Sequence, residues 1–156
     1  MTSTLRALVL ASGISAVALT GSAIANDVKP EAVAFSDAGG IKTPVAAQAG
    51  SADAGKKILT DRGLGNCVAC HQVSSLDAPF QGNVGPSLDG VADRYEPAML
   101  RAIIVNPKKA LYEGTIMPGF YTLDVGKHVR EDLVGQTILS AQQVEDVVAY
   151  LQTLKE

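Results

Sequence analysis

Apolar residues recur at helical spacing in three stretches of this chain, and nowhere do they alternate with polar ones as a half-buried strand requires. The last stretch is the most regular. Val144, Val147, Val148, Leu151 and Leu154 fall on one stripe, and Ser140 with Gln143 forms a capping box at its start. Upstream, Pro97 stands where a first-turn proline belongs, and Met99, Leu100, Ile103 and Ile104 follow at helical spacing until Asn106-Pro107 stops the run. A shorter helix is predicted through Leu59, capped by Asp53, with Ile58 and Leu59 facing inward and Gly63 and Gly65 marking its end. Long irregular stretches separate the three. The pattern predicts an all-α domain over residues 51–156, in which loops this long need something to pack on.

The N-terminus follows a different logic. Arg6 is the only charge before Asp27, Leu8 to Leu19 is dominated by apolar residues, and Ala23-Ile24-Ala25 has the small-x-small form of a leader-peptidase site. The run contains Ser and Gly and is shorter than the roughly 18 to 20 residues of a spanning helix. Residues 1–25 are therefore expected to be a cleaved secretory signal rather than a membrane anchor. With no Cys near the cleavage site, no lipid anchor is expected either. Residues 26–50, with Pro30, Pro44, Gly39, Gly40 and Gly50 and little periodicity, read as an extended arm or linker. Val33, Phe35, Ile41 and Val45 give it a few apolar anchors.

Composition narrows the picture. The 156 residues carry a formal charge of -3, and no segment combines dense Lys/Arg with aromatics, so nucleic acid is a poor candidate partner. Aromatic residues make up 4% and Trp is absent, which leaves a domain of this size short of bulky core material. Two cysteines in an exported chain would by default pair as a disulfide. Here they are three apart with His directly after.

That run, Cys67-Val68-Ala69-Cys70-His71, is the covalent haem c attachment pattern. Two residues between the thiols, on a helical turn, place both sulfurs along one edge of the ring, each to form a thioether with one vinyl group. The next side chain then projects under the iron as an axial ligand. A thioredoxin-like pair would follow a strand, which is missing. A four-ligand zinc site would need two more Cys or His, and only His128 remains.

A second axial ligand is sought on the other face of the ring. Met117 is favoured, because it precedes Pro118 and Gly119 in a non-periodic loop where packing alone does not call for a thioether. His128 lies in a charged run, and Met99 on the apolar face of a predicted helix, where Met is more often filler. In the Gly85-Pro86-Ser87-Leu88 loop, the Pro86 carbonyl suits the task of accepting the second N–H of His71. Arg94 and Tyr95 are candidates to meet a haem propionate. Gly55 and Tyr150 could mark a close crossing of the first and last helices.

The order of attachment motif, Gly-Pro-x-Leu loop, Met-Pro loop and terminal amphipathic helix resembles class I cytochromes c across residues 51–156. Three stretches are closer to one family, the SoxX cytochromes of the bacterial sulfur-oxidising system. They are Gly85 to Tyr95, Gly114-Thr115-Ile116-Met117-Pro118-Gly119-Phe120-Tyr121, and Ile138 to Leu151, with Gly119 standing where Ala or Pro is usual. The resemblance implies short helices and long loops packed around one covalent haem c. It also implies a periplasmic heterodimer with the cytochrome SoxA, acting as L-cysteine S-thiosulfotransferase, which joins thiosulfate to a cysteine of the carrier SoxYZ and passes electrons to a downstream c-type cytochrome. Since haem takes both cysteines, this chain would be the non-catalytic, electron-accepting subunit. A free-standing electron shuttle is the rival, with Lys108, Lys109, Lys127 and Arg130 as a docking ring.

Overall fold

A computed structural model describes residues 26–124 and 126–156. The expected signal peptide, residues 1–25, lies outside them. The described residues hold five α-helices and no strand: α1 (Ala52–Thr60), α2 (Val91–Arg94), α3 (Pro97–Val105), α4 (Pro107–Ala110) and α5 (Ala141–Leu151). Short 3-10 turns occupy Pro30–Ala32, Cys67–Ala69 and Glu131–Leu133. The three helices expected from periodicity are α1, α3 and α5. The capping box of α5 is present, with Ser140 Oγ accepting from Gln143 N–H and Gln143 Oε1 accepting from Ser140 N–H. For α1 the cap lies two residues earlier than expected: Ser51 Oγ accepts from Ala54 N–H, and Asp53 sits inside the first turn. None of the helices among the described residues is long and apolar enough to cross a membrane.

The core is built where α1, α3 and α5 meet, with Leu59, Leu100, Val105, Val144 and Val148 almost wholly buried. Gly55 permits the closest approach. A Cβ there would overlap the Asp146 carbonyl and come within 2.8 Å of Tyr150 Cβ, so α1 lies directly on α5. Ser51 N–H, one residue before α1, donates to Asp146 Oδ1 at 2.8 Å and fixes the crossing.

Residues 26–50 lie against this core. Ile41 and Val45 are 2% and 1% exposed, and burial of such side chains contributes about 2 kcal/mol each. Arg101 and Glu145 then tie α3, α5 and this segment together. Their side chains pair at 2.7 and 2.8 Å, Arg101 Nη1–H donates to the Ile41 carbonyl, and Val45 N–H donates to Glu145 Oε1. Both residues are buried, and each charge has its partner. Such a pair holds its geometry, because losing either member strands the other in the core.

Candidate haem site

The attachment turn follows α1 by way of Asn66, which takes a left-handed conformation at φ +45°. Asn tolerates that region better than most residues. The turn then tightens, with Cys70 N–H and His71 N–H both donating to the Cys67 carbonyl at 3.1 and 2.9 Å. Beyond it, residues 82–88 run back alongside. Gly82 N–H donates to the Val68 carbonyl, Gly85 N–H to Cys70 and Leu88 N–H to Gln72, at 2.8, 2.8 and 2.9 Å. The Gly-Pro-x-Leu loop is thus clasped to the attachment turn by its backbone.

That clasp brings His71 and Pro86 together. Nδ1 of His71 lies 2.7 Å from the Pro86 carbonyl oxygen. A proline carbonyl can only accept, so Nδ1 carries the proton of this bond, and in the neutral ring that leaves the free lone pair on Nε2. Gly85 completes the cradle: a Cβ there would stand 2.6 Å from His71 Nδ1 and closer still to Cε1.

The loop has its own braces, none of which sequence reasoning identified. Ser74 N–H and Oγ–H donate to Asp89 Oδ1 and Oδ2 at 2.9 and 2.6 Å, and Ser87 Oγ lies 3.1 Å from Oδ2. These hydrogen bonds, led by the Ser74 hydroxyl, hold the Asp89 carboxyl below its usual range. Gln81 accepts from Val73 N–H and donates to the Leu76 carbonyl. Arg94, expected at a propionate, donates to the carbonyls of Ser87 and Asp89, both at 2.7 Å. Ser, Asp and Gln in a polar loop look like solvated surface, so no residue-type signal set these braces apart.

Cys67 and Cys70 are both free thiols. Burial pushes the Cys67 thiol up to about 12, which is the opposite of what a reactive redox thiolate needs. Among the described residues no group of three or more His, Cys, Asp or Glu is placed to hold a metal ion. Two unpaired thiols on one turn, with an imidazole oriented through Nδ1, fit a covalently attached haem.

The three candidates for a second ligand occupy different surroundings. Met117 is half-buried, packs against the core and sits on a segment pinned to the end of α3, where Phe120 N–H donates to the Ile104 carbonyl and Tyr121 N–H to Val105. Met99 points its methyl toward Gly39, so it fills space between α3 and residues 26–50. His128 is exposed, as is Tyr95.

Residues 52–155 match the cytochrome c family model. Among curated proteins none matches. Among solved structures, a chain of SoxXA from P. pantotrophus is similar at 40% identity and a TM-score of 0.76, covering 83% of this chain and 99% of that chain. A share of 83% exceeds what residues 52–156 can supply, so the likeness reaches back into residues before 52. With the attachment turn, the His71 cradle and this likeness together, the chain belongs to the cytochrome c family, as an electron-transfer haem c protein of the SoxX type.

Proposed function

We propose that this chain is the electron-accepting haem subunit of a periplasmic thiosulfate-oxidising complex. The observation that carries the reading is the 40% identity to a SoxXA chain that is covered almost end to end. In this reading residues 1–25 are a cleaved leader, residues 26–50 an arm and residues 51–156 the cytochrome domain. The partner is a SoxA cytochrome, which together with this chain links thiosulfate to a cysteine of SoxYZ, and the electrons leave to a downstream c-type cytochrome.

The bound haem supplies a one-electron couple. The chain's own residues attach, orient and shield it. Cys67 and Cys70 would each hold it by a thioether, formed when the S–H adds across one vinyl group of the haem. His71 would offer Nε2 to the iron while its Nδ1–H is held by Pro86, an arrangement that strengthens imidazole donation. Met117 is the residue that would serve as a second iron ligand, because its segment is anchored to α3 while Met99 packs toward Gly39 and His128 faces solvent. A thioether favours reduced iron and gives a higher potential than a second imidazole, as an acceptor needs. Arg94 braces the Pro86 loop, and its remaining N–H groups are the ones that would meet a propionate. With both thiols consumed, none is left here to carry sulfur covalently.

Purification of the tagged chain from its own periplasm tests the reading. A stoichiometric second cytochrome, with haem reduction that needs both thiosulfate and a carrier protein, is expected. A clean monomer indifferent to thiosulfate would instead establish a free-standing shuttle.

A further inference from the structure

Tyr121 is buried at 6% exposure, and its hydroxyl donates to the Val28 carbonyl at 2.7 Å, across most of the length of the chain. The ring belongs to the segment that follows Met117. Pro118 fixes its own φ there, and Gly119 is packed so closely that a Cβ would come within 2.5 Å of Thr122 Cγ2 and 3.1 Å of the Val105 carbonyl. Besides its bonds to Ile104 and Val105, this segment receives Leu139 N–H on the Phe120 carbonyl at 2.9 Å.

Val28 is itself anchored. Its N–H donates to the Val45 carbonyl at 2.8 Å, and Val45 N–H reaches Glu145 Oε1 in the buried ion pair. Asp27 Oδ1 accepts from Ala47 N–H at 2.9 Å, closing the same loop beside Val28. The acceptor offered to Tyr121 is thus held by residues 26–50 and, through them, by the core. On the other side of Met117 the hold is weaker: Met117 N–H reaches Thr115 Oγ1 at 3.3 Å, and Thr115 is tied by the exposed Lys108.

The geometry points to a positioning role for this segment: residues 26–50 are a strap that sets how firmly Met117 is held at iron, acting through the Tyr121 hydroxyl on the Val28 carbonyl. The inference rests on Met117 as the second ligand. A neutral thioether is a weak ligand, retained largely because its loop presents it, so the loop's anchorage decides how readily a competitor enters. Tyr121 does not touch iron; it fixes the buried end of that loop. The strap also lies before the match to the cytochrome c family model, while the SoxXA likeness includes part of it. It is an addition to the general domain.

Imidazole titration of the ferric, haem-loaded, full-length protein reads this directly. Tyr121→Phe removes one hydrogen bond and keeps the ring. It should bind imidazole about fivefold more tightly than the wild type, the change expected for one net hydrogen bond, and retain the sulfur–iron absorption band without imidazole. Asp27→Ala should act in the same direction and more weakly, and the double variant should bind no more tightly than Tyr121→Phe. Leu154→Ala, which removes a buried side chain beyond the end of α5, where Ala92 N–H donates to the Leu154 carbonyl, should lower the thermal midpoint and leave imidazole affinity unchanged. Wild-type affinity in Tyr121→Phe, or full additivity in the double variant, overturns the strap. Met117→Ala separates the two assignments: if it keeps the sulfur–iron band, the ligand reading falls and the strap with it. If it loses the band while Tyr121→Phe changes nothing, only the strap falls.

Discussion

The imidazole of His71 donates through Nδ1 to the carbonyl of Pro86 at 2.7 Å, and the backbone N–H of Gly85 donates to Cys70 at 2.8 Å. The loop therefore holds the ring and the attachment turn at the same time. Neither bond can relax without disturbing the other.

Gly85→Ala tests how tight that arrangement is. The new Cβ would lie 2.6 Å from Nδ1, and the bond to Cys70 prevents the loop from backing away. The ring must tilt and lose Pro86. Overpacking of this kind costs about 1–3 kcal/mol, to be read as a lower thermal midpoint of the haem-loaded protein. The reduction potential should rise, since an imidazole without its acceptor is a weaker donor to ferric iron. An unchanged midpoint and potential would show that the cradle is looser than the distances imply.

Asp89 gives the same loop a pH dependence. Its carboxyl is held below 3.8, chiefly by the Ser74 hydroxyl and then by the Ser74 N–H, Ser87 and Arg94. A carboxylate depressed in the folded state adds stability above its unfolded value and loses it as pH falls through the folded value. Asp89→Asn should thus be slightly less stable than the wild type at neutral pH, and the difference should close in acid below 3.8. Thermal midpoints measured across that range check it, and a gap that acid does not narrow would contradict it.

The buried pair Arg101–Glu145 carries a larger energy. Glu145→Gln leaves the Arg101 guanidinium buried beside a neutral amide, at a cost of about 3–5 kcal/mol. Because Glu145 also accepts from Val45 N–H, cleavage by a protease should begin within residues 26–50 before the domain unfolds. Replacing both residues by Met and Leu should recover much of the stability. A loss in Glu145→Gln of less than about 1 kcal/mol, as for an exposed pair, would mean that water reaches the site.

What the sequence made legible follows from what needs local spacing. Five consecutive residues, 67 to 71, specify the attachment turn, and apolar periodicity specifies α1, α3 and α5 because each buries one face. The Pro86 acceptor was readable because a liganding imidazole requires one. Arg101 and Glu145 were not, since each is a charge inside an apolar stretch and only tertiary packing pairs them. Residues 26–50 lack periodicity for a related reason: they bury single anchors, Ile41 and Val45, rather than a helical face. Arg94 was read for its charge, whereas the backbone carbonyls of Ser87 and Asp89 take two of its N–H groups.

Phe80 is the most exposed of the large hydrophobic side chains among the described residues. It is 95% exposed and held at φ +60°, a conformation costly for a bulky residue. It borders a groove that runs past Lys56, Lys57, Val68, Ala69 and Leu76, beside the attachment turn. Among the described residues the ring lies outside the buried core, so removing it should leave the folding of the isolated chain unchanged. An aromatic anchor at an interface commonly contributes about 2 kcal/mol or more, which corresponds to a loss of roughly thirtyfold in affinity. Phe80→Ser should therefore weaken association with the partner cytochrome by about that factor, measured by calorimetry on the separately purified haem-loaded subunits. Wild-type affinity in this variant would place the interface elsewhere, while a lowered thermal midpoint in the isolated chain would show that Phe80 belongs to the fold.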